Sequence, residues 1–313
     1  MEHTAIPWER ETLEKLLFAE LRERRNARRW RTLLWLLFIA AMLAPLLLDR
    51  FGGSLTGGGG GATPHTAMVR IHGVIMDGED ASAENILPAL RDAMESKHSK
   101  ALMLHFNSPG GSAVQAGMIV DELRRLKSLH KKPIHAVVED TCASAAYYIA
   151  SAADNIYVDK ASVVGSIGVL IDSFGFTGAM DKMGIERRLI TAGENKGFLD
   201  PFSPMTEEQL GYARQLTNNI HKQFISVVRE GRGERLKETP DMYSGMVWTG
   251  EQSLALGLAD AYGSMDSVAR DIVKAEDIVD YTHKPDLAER LTRQLTGAIS
   301  RTAVGALRTV QVR

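Results

Sequence analysis

The chain has 313 residues, 44% of them apolar and 24% charged, so it can bury a substantial core in one large domain or two modest ones. The formal net charge of −2 gives no reason to expect a nucleic-acid partner. The single cysteine, Cys142, excludes an internal disulfide, and such scarcity of cysteine fits an oxidising compartment.

The first 66 residues predict a membrane anchor followed by a tether. Residues 1–31 are polar and rich in arginine, and we interpret them as a cytoplasmic segment. Residues 32–48 carry no charge, which predicts a transmembrane helix; a buried core helix and a cleaved signal peptide are the alternatives. Residues 49–66 are rich in glycine and predict a flexible linker. Because the arginines precede the apolar run, we expect the N-terminus in the cytoplasm and the rest of the chain outside the cytoplasmic membrane, in the periplasm or its extracytoplasmic equivalent.

Residues 67–280 alternate between strand and helix patterns, which predicts an α/β domain with a mainly parallel sheet. The strand patterns lie at 67–75, 101–106, 133–138, 155–159 and 188–191, and the helix patterns at 83–95, 113–126, 206–230 and from Gly250. Residues 281–313 predict either an amphipathic helix, lying on a membrane or a neighbouring subunit, or a flexible tail.

Ser144 is the candidate nucleophile, because it lies in a small-residue turn between the strand at 133–138 and a helix. Open α/β sheets bind ligands at the carboxyl ends of their strands, and the loop that contains Gly110 and Gly111 leaves another such end. These glycines and the N–H of Ala145 are candidates for an oxyanion hole. The alternatives are that the glycines only form a turn, that Ser144 only caps a helix, and that Cys142 is the nucleophile.

A serine nucleophile needs a base, and no histidine lies between Ser144 and Lys196. Lys196 is therefore a candidate, although a lone loop lysine is normally a solvated surface charge. To act as a base it must be neutral, which requires burial or a nearby cation. His105 and His135 lie within strand patterns, which favours a core or surface position, but triad members need only be close in space.

Several separated motifs occur in an order that resembles the signal peptide peptidase SppA family, in its short, membrane-anchored bacterial form. The resemblance covers about residues 66–275. The motifs are Asn107-Ser-Pro-Gly-Gly111, Ala143-Ser144-x-x-Tyr147, Gly165-Ser166-Ile-Gly168, Gly193-x-x-Lys196, Trp248-Thr-Gly250 and Leu256-Gly-Leu-x-Asp260.

The resemblance implies a ClpP/crotonase-like fold, with Ser144 as nucleophile, Lys196 as general base and Ser166 orienting the lysine. It implies an oxyanion hole at Gly110 and at the N–H after the nucleophile. Family members cleave residual signal peptides and other hydrophobic peptides, and they assemble into rings in which neighbouring subunits complete the active site. The sequence departs from the family in having Ala145-Ala146, where Gly-Gly is usual, and the bulky Phe198 shortly after the lysine.

The sequence thus predicts a membrane-anchored serine endopeptidase that works as a homo-oligomer on peptide substrates, without a cofactor. No metal-binding cluster is evident, and the glycine run at 57–61 lacks the Gly-Lys-Ser/Thr ending of a phosphate loop. Two alternatives remain: an acyl-CoA enzyme of the crotonase type on the same fold, and a non-enzymatic membrane scaffold.

Overall fold

The computed structural model describes residues 30–39 and 63–283, which belong to two separate units divided between Gly59 and Gly60. In the first unit, residues 30–39 form helix α1, whose side chains are exposed. Among the described residues, no helix has both the length and the apolar character needed to cross a membrane. The described residues do not include most of the predicted span at 32–48. They also leave out the linker up to residue 62 and the tail from residue 284.

The second unit contains one mixed sheet of eight strands. The strands are β1 (His65–His72), β2 (Ser99–Ser108), β3 (Ile134–Ala143), β4 (Asn155–Val158), β5 (Val163–Gly165), β6 (Val247–Thr249), β7 (Ala261–Tyr262) and β8 (Ile278–Asp280). Every pairing is parallel except that of β5 with β6. The predicted α/β class is therefore confirmed, and the sheet is mainly parallel as expected.

Strand β3 is where the sheet divides. Its neighbour on one side is β2 along most of its length. On the other side, its first half pairs with β4 and its second half with β5. At the end of this second half Ala143 pairs with Gly165, so the residues that follow β3 and β5 leave the sheet side by side.

The helices of this unit are α2 (Ala83–Glu95), α3 (Ala113–His130), α4 (Ala145–Ala150), α5 (Thr177–Met183), α6 (Glu207–Arg232), α7 (Gly250–Leu256) and the short α8 (Met265–Ser267), which continues as a π-helical segment over Val268–Val273. In α2 the buried apolar residues Ile86, Leu90 and Met94 recur at the four-residue spacing of one helix face. This face packs into the main core between the sheet and α2, α3, α4 and α6. The opposite face of the sheet buries a smaller cluster around Met103, Tyr157 and Val268.

Local capping explains where the later helices begin. The Thr206 hydroxyl accepts a hydrogen bond from the Gln209 N–H, and the Gln209 side chain accepts one from the Thr206 N–H, which together form a capping box. Thr249 and Gln252 form the same arrangement at α7. The strand predicted at 188–191 is wrong, because these residues are exposed and form no strand. Exposed apolar side chains there have no sheet neighbour to pair with, so β propensity alone does not produce a strand.

Candidate active site

Ser144 occupies a strained turn between β3 and α4. Its backbone has φ 54° and ψ −124°, a conformation that is uncommon for a residue with a side chain. The Ser144 N–H donates to the Gly165 carbonyl at 2.8 Å, and the Ser144 carbonyl accepts from the Tyr148 N–H at 2.9 Å. The backbone is thereby anchored to both β5 and α4, whereas the side chain makes no capping hydrogen bond to the helix. A serine held in this way resembles the strand-to-helix nucleophile turn of α/β hydrolases.

Gly110 and Gly111 lie directly against the Ser144 turn and the loop after β1. Gly110 has φ 103°, and a Cβ there would lie 2.7 Å from both the Ala143 carbonyl oxygen and the Ser144 Cβ. Gly111 has φ 152°, and a Cβ there would overlap the Ile75 carbonyl oxygen. Only glycine allows this close approach of three backbone segments, so the two glycines do more than end a turn.

Two backbone N–H groups are available beside Ser144. Gly111 and Ala145 both line the cavity next to Ser144, and no hydrogen bond to a described residue uses their N–H groups. By contrast, the Gly110 N–H donates to the Ser108 hydroxyl at 3.2 Å. Ala145 begins helix α4 and is not among the residues with positive φ. The alanine that replaces the usual glycine therefore leaves its N–H in place as a donor.

Ser166 comes into the same cavity as Ser144. It follows β5 directly, has φ 50°, and donates its N–H to the Met246 carbonyl at 2.8 Å. The cavity has a volume of about 630 Å³. Its walls also include Tyr148, Val169, Leu170, Ile220, Gln223, Phe224 and Gly245. The walls therefore combine small polar groups with apolar side chains.

Lys196 lies outside this cavity within a single chain. Its side chain is exposed, and it is not among the residues that line the cavity. It belongs to a loop between α5 and α6 that is held by local contacts, including the ion pair of Arg187 with Asp200 and the stacking of Phe176 on Phe202. The structure therefore brings Ser144, Ser166, Gly111 and Ala145 together and leaves Lys196 apart.

The rival groups considered from the sequence are positioned for other roles. Cys142 is fully buried, and burial raises the pKa of its thiol, so it is a packing residue. His135 is also buried, on the opposite sheet face, where its ring contacts Tyr157 edge-on. Burial lowers the pKa of both His135 and His105.

Helix α6 contributes a wall of the site that no motif in the sequence predicts. Ile220, Gln223 and Phe224 all line the cavity, and the ring of Phe224 lies 5.2 Å from that of Tyr148. These positions lie on one face of the long helix, and their spacing in the sequence predicts a helix face that packs against the core. It could not have shown which part of the core this face contacts.

A serine on such a turn, beside free N–H groups at a helix start, is the arrangement of serine hydrolases on α/β sheets. Residues 127–278, just under half of the chain, match the model of peptidase family S49. The resemblance that the motifs indicate is thereby confirmed.

Three relatives illustrate the range of the family match. The protein named Na(+)/H(+) antiporter NhaA from Brucella melitensis is 42% identical over 65% of this chain and 28% of its own length. Protease 4 of Haemophilus influenzae is 30% identical over 68% of this chain and 34% of its own. Serine protease SPPA, chloroplastic, of Arabidopsis thaliana is 27% identical over 82% of this chain and 36% of its own. The chain thus spans little more than a third, or less, of each of these proteins.

Proposed function

We propose that this protein is a membrane-anchored serine endopeptidase that uses Ser144 as nucleophile and Lys196 as general base. The observation that carries the proposal is the strained Ser144 turn, which lies beside the N–H groups of Gly111 and Ala145 in one cavity. The match of residues 127–278 to the model of peptidase family S49 supports peptide-bond hydrolysis as the reaction.

In the proposed reaction, neutral Lys196 accepts the proton of the Ser144 hydroxyl as the oxygen attacks the peptide carbonyl carbon. The N–H groups of Gly111 and Ala145 donate to the oxyanion that forms, and each such donor is worth about 3–4 kcal/mol in known cases. The C–N bond then breaks, and the leaving amine takes the proton from Lys196. Water, deprotonated by Lys196, hydrolyses the acyl-enzyme and releases Ser144.

We propose that Lys196 reaches the Ser144 of a neighbouring copy in a homo-oligomeric ring. Within one chain, Lys196 is exposed and does not line the Ser144 cavity. The same loop exposes large apolar side chains, for example Ile190 at 94%, which a second copy would cover. In a ring built by one repeated contact, every subunit can give its lysine to one neighbour and receive a lysine from the other.

The proposed substrates are hydrophobic peptides, such as residual signal peptides, that leave the membrane on its extracytoplasmic side. The apolar residues Leu170, Ile220 and Phe224 in the cavity wall favour such peptides over charged ones. An anchor at residues 32–48 would hold the site close to the bilayer. Ser166 lies in the same cavity, and we propose that its hydroxyl orients the lysine that enters it.

The dyad is tested with the full chain in detergent, using a fluorogenic hydrophobic peptide and the variants Ser144→Ala and Lys196→Ala. We expect each variant to lower kcat by at least about 10⁴-fold, because the loss of one member of a catalytic unit costs about as much activity as the loss of all its members. Lys182→Ala is the matched control, since Lys182 is exposed in the neighbouring helix α5, and it should retain activity.

Retention of hydrolysis in either Ser144→Ala or Lys196→Ala would show that the dyad is assigned wrongly. A pH–rate profile adds a second criterion. A lysine base predicts activity that keeps rising above neutral pH, whereas activity that rises and levels off around pH ~6.5 would indicate a histidine base. Turnover of an acyl-CoA in place of the peptide would favour the crotonase-type alternative, and no turnover of either would favour the scaffold.

A further inference from the structure

A cluster of two histidines and a glutamate lies away from the Ser144 cavity, across three neighbouring strands. His72 ends β1, His105 lies in β2 and Glu139 lies in β3. Each offers one ligand atom, and these atoms all lie within 4.8 Å of one another. Because the pairing places His72 opposite Asn107 and His105 opposite Val137, the three residues are diagonal neighbours on one sheet face.

The two imidazoles have nitrogen atoms that no other group satisfies. Within residues 63–283, Nε2 of His72 and Nδ1 of His105 are buried and have no hydrogen-bond partner. The rings meet edge-on, with their centroids 4.7 Å apart. A buried polar atom without a partner costs about 1–3 kcal/mol, and an ion bound by both rings would give such nitrogens a partner.

Charge at the cluster also suits a cation. Glu139 approaches Nε2 of His105 at 3.3 Å and brings a negative charge. Arg70, the described cation that acts on both rings, forms an ion pair with Asp280 at 3.4 Å, which offsets its repulsion.

The cluster can be reached from solvent. The Glu139 side chain is 52% exposed. His105 and Glu139 both line a cleft of about 920 Å³, whose wall also includes Asp140, Asp159, Lys160 and Asp266. An ion can therefore enter from the cleft and keep a position open to water.

We propose that His72, His105 and Glu139 form a binding site for a divalent transition-metal ion, with Zn²⁺ as the best-suited ion. Two imidazoles and one carboxylate are a donor set typical of zinc and of related first-row metals. The ion would join three strands that lead into the catalytic segment: β3 ends before Ser144, β2 ends before the glycine loop, and the chain after β1 holds Gly110 through the Ile75 N–H at 2.9 Å.

The experiment is metal binding by the full chain in detergent, after removal of metal with a chelator. Zn²⁺ binding is measured by calorimetry, and Co²⁺ is used as a spectroscopic probe whose visible absorption reports the ligand geometry. The variants are His72→Ala, His105→Ala and Glu139→Gln. The matched controls are His98→Ala, an exposed histidine, and Asp121→Asn, an exposed carboxylate of helix α3 outside the cleft.

We expect one Zn²⁺ per chain in the wild type, and an affinity at least about tenfold weaker in each of the three variants. The controls should bind as the wild type does. Zn²⁺ should also raise the Tm of the wild type, by mass action on the folded state, and should raise the Tm of Glu139→Gln by less. Glu139→Gln preserves shape, so an unchanged metal-free Tm shows that its loss of binding is not a loss of fold.

Wild-type protein that binds no Zn²⁺ at micromolar concentration would overturn the proposal. So would equal affinity in the wild type and all three variants, since the ion would then be held by other residues. Neither result depends on peptide hydrolysis, so the peptidase proposal can stand or fail separately.

Discussion

Backbone strain is concentrated at single residues of the candidate active site. Five described residues other than glycine have a positive φ, and two of them, Lys131 and Lys274, only end helices. The other three are Ser144, Ser166 and Leu199. Such conformations cost on the order of 1–3 kcal/mol each and persist only where the surroundings enforce them. Here hydrogen bonds to the Gly165 and Met246 carbonyls enforce the conformations of the two serines.

The close approach of Gly110 to the Ser144 turn predicts that a side chain at position 110 lowers activity. Gly110→Ala should lower kcat by about 10²–10³-fold, because the added methyl would displace Ser144 or the Ala145 N–H, and losing one oxyanion donor has an effect of this size. The measurement is peptide hydrolysis with the folded variant. Gly117→Ala is the control: a Cβ there meets nothing within 4 Å, and alanine favours helix α3, so activity should be unchanged. A fully active Gly110→Ala would mean that this contact does not set the position of the nucleophile.

At the scale of elements, Glu122 joins two helices that cover the sheet. Its carboxylate accepts from Arg91 of α2 at 2.6 Å and from Arg125 of its own helix α3 at 2.7 and 2.8 Å. These bonds, first that of Arg125, lower the pKa of Glu122 to about 2. Because the pKa is depressed in the folded state, the contribution to stability is complete above the unfolded value of about 4.3 and is lost as the pH falls towards 2.

The hydrogen bonds of Glu122 predict that the wild type and Glu122→Gln differ in their free energy of unfolding by an amount that depends on pH. Glu122→Gln should lower the free energy of unfolding by roughly 1–2 kcal/mol at pH 7, and the difference from the wild type should shrink at pH 3. Urea denaturation at the two pH values measures it. Asp92→Asn, which removes an exposed carboxylate of α2, should show no such change. A difference that stays constant between pH 7 and pH 3 would contradict the assigned protonation.

The main elements could be predicted from sequence because their signals are local. The helix pattern at 83–95 matches α2 residue for residue, and the apolar run at 101–106 is the centre of β2. β6 was missed, since three residues with only one half-buried side chain give little pattern. The positive φ of Ser144 and the diagonal contact of His72 with His105 depend on strand register, which no single stretch of sequence encodes. The placement of Lys196 outside the cavity has the same origin, because it depends on long-range packing.

At the scale of the whole molecule, the chain from residue 169 to residue 216 leaves many large apolar side chains uncovered. They include Leu170, Ile171, Phe174, Phe176, Met183, Ile185, Leu189, Ile190, Phe202, Met205, Tyr212 and Leu216. Exposure of this many large apolar side chains within one stretch of chain favours a protein or membrane contact. Since Lys196 lies in the middle of this stretch, a ring contact there would cover the surface and complete the site at once.

A site shared between subunits predicts that two inactive variants restore each other. Ser144→Ala and Lys196→Ala chains are mixed at equal ratio, dissociated or unfolded, and reassembled. Roughly a quarter of the wild-type sites should then recover, because an intact Ser144 from one chain meets an intact Lys196 from another by chance. Peptide hydrolysis before and after mixing measures the recovery. Mixing Ser144→Ala with a Ser144→Ala, Lys196→Ala double variant should recover nothing. If the Ser144→Ala and Lys196→Ala mixture also stays inactive in assembled rings, each chain supplies its own pair.

The burial of Cys142 has a practical consequence for tracking this molecule. Since the only thiol of the chain is enclosed in the core, the native protein is expected to behave as a cysteine-free background towards maleimide dyes. A cysteine introduced at an exposed position such as Ile190 would then carry a fluorophore at one known place. Cys142 itself would accept the dye only after the core opens, so the same labelling chemistry reports assembly in one variant and global unfolding in the parent protein.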